Sequence, residues 1–82
     1  MFHKVTAVKP LPDYCLLAVF EGGVKRFYDV KPLFDKWDVF RNLMADGLFD
    51  RVRVDTGGYG ISWNDDIDLS CDELYWNGRP VQ

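Results

Sequence analysis

Residues Tyr14 to Val30, YCLLAVFEGGVKRFYDV, decide the fold of this chain. Two runs rich in β-forming residues, 14–21 and 24–30, flank Gly22-Gly23, and glycine adopts the positive φ angles that a tight hairpin turn needs. Both faces of the first run are apolar, which predicts a central strand covered on both sides or a strongly bent sheet. Alternation places Cys15, Leu17, Val19, Val24, Tyr28 and Val30 on one face, and Tyr14, Leu16, Ala18, Phe20 and Phe27 on the other.

A strand and a helix are expected on either side of this hairpin. Apolar side chains alternate along Lys4–Lys9, and the prolines that follow force a turn because proline fixes φ. After the hairpin, Lys31–Phe34 predicts a single tight turn, Asp35 can cap a helix over residues 36–46, and Gly47 ends it. The apolar stripe of that helix contains Trp37, Phe40, Leu43 and Met44.

The second half predicts another hairpin and a short helix. Residues 49–55 and 59–63 alternate as two strands around the turn Thr56–Gly58. Ser70 and Glu73 have the spacing of a capping box, in which the serine side chain caps forward and the glutamate side chain caps back. The helix that they begin is expected to stop at Asn77-Gly78, and residues 79–82 are expected to fray.

This order of elements predicts an α+β fold. We expect a small antiparallel sheet, made from two hairpins and the N-terminal strand, with one main helix and a short C-terminal helix packed on it. The 82 residues have room for one domain, 1–82, whose core spans about 4–78.

Composition excludes several classes of function. The net charge is −3 and the pI is about 4.9, so we expect no direct contact with nucleic acid. The longest apolar run, Cys15–Phe20, is far shorter than the roughly 18 residues of a membrane helix, and no signal peptide precedes it. Two distant cysteines without a CxxC motif predict a reduced, cytoplasmic protein.

No constellation of catalytic residues is present in the sequence. His3 is the single histidine and falls in an N-terminus that we expect to be mobile, without a role. Cys15 is expected to be buried, and the acidic neighbours of Cys71 oppose formation of its thiolate. We therefore predict a protein that is not an enzyme and needs no cofactor, with carboxylate-only chemistry as the remaining catalytic alternative.

Two groups of residues are candidates for binding. The acidic loop at Asp65, Asp66 and Asp68 could hold a metal or a small ligand, but Leu69 and Tyr75 break the calcium-loop template, and a solvated turn is the simpler interpretation. The candidate partner contacts are the strand arginines Arg51 and Arg53 and the aromatic residues Trp37, Tyr59, Trp63 and Trp76; for Trp37 and Trp63 burial in the core is the favoured alternative.

The sequence resembles a bacterial domain of unknown function, the family numbered 2442. The similarity is carried by the hairpin segment 17–29, by Lys31–Phe34 and by the tail 61–75, which together span most of residues 4–78 in the same order. Asp66 departs from the glycine that many members carry there. The resemblance implies a small α+β protein, often encoded beside another small protein as in a toxin–antitoxin pair, and it implies no catalytic residues.

These observations favour a small interaction module. We expect an antitoxin-like or accessory member of a two-protein system, whose protein partner is the product of the neighbouring gene. A homodimer formed by pairing of the edge strand Lys4–Lys9 is a further possibility. The alternative of a different class is a ligand- or metal-binding domain that uses the loop Asp65–Asp68 and nearby aromatic residues.

Overall fold

Residues 2–81, which a computed structural model describes, form two antiparallel sheets with two α-helices, and this confirms the α+β class. The first sheet has the order β1-β2-β3-β7, with strands Val5–Leu11, Cys15–Phe20, Lys25–Asp29 and Arg79–Pro80. The second has the order β4-β5-β6, with strands Arg53–Val54, Gly60–Ser62 and Asp68–Ser70. Helix α1 spans Lys31–Lys36 and helix α2 spans Cys71–Asn77.

The hairpin β2–β3 forms as predicted, but its register differs by one residue. The N–H of Phe20 donates to the carbonyl of Val24 at 2.7 Å, which closes a three-residue loop, Glu21–Gly23, instead of a two-residue turn. Leu16 is therefore opposite Tyr28, so the two side chains share a face. The prediction that Tyr28 shares a face with Leu17 is therefore wrong. The buried face contains Leu16, Ala18, Phe20, Tyr28 and Val30.

The predicted main helix over residues 36–46 is wrong in its bounds. The segment Lys31–Lys36 is already helical, because proline favours the first helical positions and the Asp29 carboxylate accepts the Lys31 N–H at 3.0 Å. Trp37 is extended, with φ −135°, and a 3₁₀ segment, Asp38–Met44, follows it. β-branched, aromatic and Asp/Asn residues are weak helix formers, which accounts for the break.

The break changes which aromatic residues are buried. In a 3₁₀ turn, residues three apart share a face, so Phe40 and Leu43 are buried together. Trp37 and Met44 leave that face and are 54% and 52% exposed. The expectation that Trp37 lies in the core is therefore wrong.

The remaining elements also differ in detail from the predictions. The predicted strand 49–55 is reduced to β4 because a 3₁₀ turn, Leu48–Arg51, occupies its first half. After the acidic loop, β6 pairs with β5, and this strand was not predicted. Arg79 and Pro80 do not fray but pair with β3, while Gln82 lies outside the described residues.

Helix α2 begins and ends as expected. The Ser70 hydroxyl accepts the Glu73 N–H at 3.1 Å, which is the forward half of the predicted capping box. The Glu73 carboxylate does not cap back; it accepts hydrogen bonds from the Tyr28 hydroxyl at 2.7 Å and from the Asn77 amide at 2.9 Å. These bonds attach α2 to β3, and burial together with the Glu73 hydrogen bond raises the pKa of Tyr28 well above its ordinary value.

One apolar core joins the two sheets and the 3₁₀ segments. Its large members are Leu16, Phe20, Tyr28, Phe40, Leu43, Phe49, Ile61, Trp63, Ile67 and Leu74. No helix within residues 2–81 has the length and apolar character needed to cross a membrane.

Removal of the Tyr28 hydroxyl should destabilise the fold. We expect Tyr28→Phe to lower the free energy of unfolding by about 1–2 kcal/mol, because a hydrogen bond to a charged group is lost. Since burial and the Glu73 hydrogen bond raise the pKa of Tyr28 in the folded state above that of an unfolded tyrosine, this contribution is present at neutral pH and is lost as the pH rises through the folded-state pKa. Urea denaturation at pH 7 and in the alkaline range measures both effects.

Tyr75→Phe is the matched control for this change. Within residues 2–81 the Tyr75 hydroxyl makes no hydrogen bond, so its removal should change stability by less than about 0.5 kcal/mol. Equal losses in the two variants would show that the Tyr28–Glu73 bond does not stabilise the fold.

Candidate functional site

Tyr59 and Trp76, two of the aromatic candidates, are exposed on the folded protein. Their exposed fractions are 49% and 69%, although side chains of this size are usually covered. Tyr59 lies directly before β5, in the connection from β4, and Trp76 lies in the last turn of α2. Each of them contacts one residue of the N-terminal segment.

Phe2 and His3 form the link between these two side chains. The Phe2 ring meets Tyr59 edge-on at 5.2 Å, and the His3 imidazole stacks on Tyr75 at 3.6 Å with an interplanar angle of 3°. His3 also contacts Trp76 at 5.6 Å. We call Phe2, His3, Tyr59, Tyr75 and Trp76 the aromatic surface. The stacking of the His3 ring within this surface was not predicted.

Two basic side chains contact rings of the aromatic surface. The Arg26 guanidinium lies 4.3 Å from the centre of the Tyr75 ring, and its Nε donates to the Tyr75 carbonyl at 3.1 Å. The Lys4 ammonium lies 5.1 Å from the centre of the Tyr59 ring. These cation–π contacts orient the rings and place positive charge at the edge of an otherwise apolar surface.

Sequence reasoning found Tyr59 and Trp76 but missed Phe2, His3 and Tyr75. Tyr75 is half-buried, and the imidazole of His3 is stacked on its ring. Phe2 is 58% exposed and is held by a residue 57 positions away in the sequence. The sequence signal for this contact is an aromatic residue, Phe2, ahead of the N-terminal strand. A local pattern does not show where such a residue packs.

Arg51 and Arg53 are both exposed, as expected for binding residues. Arg51 ends a 3₁₀ turn and Arg53 lies on β4, an edge strand of the second sheet. Within the described chain, neither guanidinium is at ion-pair distance from a carboxylate, and Asp55 instead accepts the Ser62 hydroxyl at 2.6 Å. No hydrogen bond or cation–π contact in residues 2–81 joins these arginines to Tyr59 or Trp76.

Trp63 is buried, as predicted. It is 3% exposed, and its indole N–H donates to the Phe49 carbonyl at 3.0 Å. Its ring packs on Phe40 and Phe49, so it belongs to the core and is not a contact residue.

The acidic loop forms a turn ordered by an amide. The Asn64 side chain accepts the N–H groups of Asp66 and Ile67 at 2.9 and 3.0 Å, which is an Asx turn. Asp65, Asp66 and Asp68 are exposed. In the part of the chain that is described, no three His, Cys, Asp or Glu side chains are grouped so as to hold a metal ion. Metal binding at this loop stays a prediction, which calorimetry with Ca²⁺, Mg²⁺, Mn²⁺ and Zn²⁺ tests.

The two cysteines are buried and free. Cys15 is 6% exposed and Cys71 is 1% exposed. Burial, with the charge of Asp72 beside it, raises the pKa of the Cys71 thiol. Thiolate formation at Cys71 is therefore disfavoured, as its acidic neighbours predict, and burial is the larger cause.

Comparison with known proteins identifies a family. The family model described as "Protein of unknown function (DUF2442)" matches residues 5–80, nearly the whole chain. None of the curated proteins and none of the solved structures matches the chain.

Proposed function

We propose that this chain, which belongs to the DUF2442 family of proteins of unknown function, is a non-catalytic interaction module that binds a protein partner through its aromatic surface. The observation that carries the proposal is the exposure of three rings, Phe2, Tyr59 and Trp76, of which Tyr59 contacts Phe2 and Trp76 contacts the next residue, His3. Exposed apolar surface of this kind is costly in water, and tryptophan and tyrosine are the residues that most often dominate binding energy at protein interfaces.

The rings are held in place before any partner binds. The stacked imidazole and the Arg26 guanidinium fix Tyr75, and Tyr75 contacts Trp76 at 4.9 Å. Side chains that are ordered in the free protein lose less conformational entropy on binding. Such a surface suits a stable complex with one partner.

The partner that we propose is a second small protein encoded by the neighbouring gene. This chain would then be the antitoxin-like or accessory member of a two-protein system. The net charge of −3 favours a basic partner, because complementary charge increases the rate of association. Lys4, Arg51 and Arg53 would meet local acidic groups of that partner.

Co-purification and affinity measurements test this proposal. The tagged protein is expressed with the neighbouring gene product, and the eluted species is weighed by light scattering and mass spectrometry. We expect a heteromer, and we expect Trp76→Ala to weaken binding about 30-fold, the effect of losing one hot-spot side chain of about 2 kcal/mol. Tyr59→Ala should act in the same direction.

Trp37→Ala is the matched control, since Trp37 is exposed to a similar degree but contacts no member of the aromatic surface in residues 2–81. It should leave the affinity unchanged, and urea denaturation should show that Trp76→Ala is folded. A chain that elutes alone would remove the two-protein proposal. A homodimer that persists in Trp76→Ala would instead point to pairing of the β1 edge.

A further inference from the structure

The outer face of the first sheet is formed by side chains that take no part in the core. Along β2, every second side chain is buried in the core, namely Leu16, Ala18 and Phe20. Leu17 and Val19 alternate with these residues and therefore lie on the opposite face of the sheet. Within residues 2–81, neither of the two belongs to the apolar core or packs against it.

The centre of this outer face is apolar. Leu17 is paired with Phe27 of β3, and Val19 is paired with Ala7 of β1, so the four side chains are neighbours across the strands. We call them the outer patch. Ala7 is exposed and the other three are half-buried. An antiparallel sheet with one face in water normally carries polar residues on that face, and this sheet does not.

Basic side chains border the outer patch. One row across the sheet, from β1 to β7, consists of Lys9, Leu17, Phe27 and Arg79. The Arg79 guanidinium lies 5.0 Å from the centre of the Phe27 ring. Lys25 lies on the same face, two residues before Phe27. In the part of the chain that the structure describes, none of these three cations is at ion-pair distance from a carboxylate.

The carboxylates at the end of this face do not balance those cations. Asp29 follows Phe27 on the same face, and its Oδ1 lies 2.9 Å from the Lys31 ammonium. The same ammonium lies 3.0 Å from the Asp13 Oδ2. The outer face therefore has an excess of positive charge, on a chain whose net charge is −3. A partner of complementary charge would be acidic where it meets this face.

The geometry of the face limits what can dock on it. Both edges of β2 are hydrogen-bonded, to β1 and to β3, so an extended segment cannot add there as another strand. The occupant must satisfy its own backbone, as a helix does. A second copy docked about a two-fold axis would place Lys9, Lys25 and Arg79 against the same cations. Single-stranded nucleic acid stacks its bases on aromatic rings, and the outer patch is aliphatic except for Phe27.

We propose that the outer patch docks an amphipathic helix of a partner protein, whose apolar stripe is flanked by acidic residues. The stripe packs on Leu17, Val19 and Phe27, and the acidic flanks pair with Lys9 on one side and with Arg79 on the other. Neighbouring strands are about 4.8 Å apart, so β1 and β7 are separated by roughly 14 Å, and a helix about 10 Å across fits between the two cations.

This docking surface is distinct from the aromatic surface. Helix α2 packs on the opposite face of the same sheet, where the Tyr75 ring meets the buried Phe20 ring edge-on at 5.3 Å. The proposal therefore goes beyond the proposed function, because either surface can be removed while the other is kept.

A titration with two designed peptides tests the proposal. Both peptides are about 20 residues long, above the length at which isolated helices become stable, and both carry the same leucine stripe. Glutamates flank the stripe in one peptide and lysines flank it in the other. With the glutamate peptide we expect saturating amide shifts of the ¹⁵N-labelled protein in residues 7–9, 17–19, 25–27 and 79. The lysine peptide should not saturate.

Two variants of the outer face should weaken binding of the glutamate peptide. Leu17→Thr keeps a β-branched residue in the strand and should weaken binding about tenfold, which corresponds to roughly 1.4 kcal/mol of lost apolar contact. Lys9→Gln should weaken it about threefold, as expected for one exposed ion pair. Lys36→Gln is the matched control, because it removes an exposed lysine of α1 outside the sheet, and it should leave the titration unchanged.

Several results would overturn the proposal. Equal saturation by the two peptides, or equal weakening by Lys9→Gln and Lys36→Gln, would show that the charge of the face does not select the occupant. An oligothymidylate that shifts the same residues at a lower concentration than the glutamate peptide would assign the face to single-stranded nucleic acid. A dimer in light scattering that is lost in Leu17→Thr would assign it to a second copy of the chain.

Trp76→Ala separates this proposal from the proposed function. The variant should leave the peptide titration unchanged, and loss of peptide binding in it would contradict the outer patch as the docking surface. A protein that elutes without a partner but saturates with the glutamate peptide would remove the proposed function and support the docking of a helix. A heteromer together with no binding of the glutamate peptide would support the proposed function and overturn this proposal.

Discussion

Replacement of Trp63 by alanine is expected to lower the free energy of unfolding by about 3–5 kcal/mol, the range for deletion of a large buried aromatic side chain. The indole is 3% exposed and packs edge-on against Phe40 at 6.2 Å and on Phe49 at 5.9 Å. It therefore connects the strand end after β5 to both 3₁₀ segments. Its removal leaves a cavity where these three elements meet.

A hydrogen bond adds to this loss. The indole N–H donates to the Phe49 carbonyl at 3.0 Å inside the core, and alanine leaves that carbonyl without its donor. Trp63→Phe separates the two contributions, since it keeps most of the apolar volume and removes the donor. We expect it to cost about 1–3 kcal/mol.

Urea denaturation measures these changes, and Trp37→Ala is the matched control. Trp37→Ala removes the same side chain from a position that is 54% exposed, so this change should lower the free energy of unfolding by less than about 0.5 kcal/mol. Domains of this size have total stabilities of roughly 5–10 kcal/mol, so Trp63→Ala should be partly unfolded in mild denaturant. Similar losses in the two variants would contradict the assignment of Trp63, and not Trp37, to the core.

Trp37 is exposed and Trp63 is buried, although the sequence predicts a core position for both. Trp37, Phe40 and Leu43 are spaced by three residues, and this spacing is compatible with the broad apolar stripe of an α-helix as well as with one face of a 3₁₀ helix. Whether the segment forms an α-helix or a 3₁₀ helix depends on the weak helix propensity of residues 37–42 and on packing against distant strands. The sequence could predict an apolar stripe but not the residue at which the helix breaks.

The same limit applies to the first hairpin. Gly22 and Gly23 predict its position because their φ angles of 84° and 85° are open to glycine. They do not distinguish a two-residue from a three-residue loop, and one residue of difference moved Tyr28 to the other face of the sheet. By contrast, the start of α2 depends on one local hydrogen bond that the Ser70 hydroxyl accepts from the Glu73 N–H, and it was predicted correctly.

The candidate site was predicted only where its residues could be judged individually. Tyr59 and Trp76 were proposed as contacts, and both are exposed. The contribution of the N-terminal segment depends on packing against residues more than 50 positions away, and this packing has no local signature in the sequence.

The second large effect is expected at Gly58, where the turn after β4 lies against β1. The φ angle is +79°, and a Cβ atom there would come 2.6 Å from the Val5 carbonyl oxygen and 3.2 Å from the Lys4 Cβ. Backbone atoms cannot move aside as the end of a side chain can. We expect Gly58→Ala to cost about 2–4 kcal/mol, which combines left-handed strain with displacement of β1.

Gly22→Ala is the matched control for the strain alone. Gly22 has a φ of +84°, but nothing lies within 4 Å of a Cβ built there, so alanine should cost about 1–2 kcal/mol. The difference between the two variants, measured by urea denaturation, isolates the close approach of the turn to β1. Equal losses of unfolding free energy in the two variants would show that the turn does not lie close to β1.

Gly58→Ala should also disturb the aromatic surface. Lys4 and Tyr59 are the immediate neighbours of this contact, and Tyr59 holds Phe2 at 5.2 Å. A shift of β1 by the added methyl group would separate Phe2 from Tyr59, so the amide resonances of residues 2–5 should move more than in Gly22→Ala. The partner's affinity should fall with them, because the N-terminal segment and the loop that carries Tyr59 form one surface only while Gly58 allows them to touch.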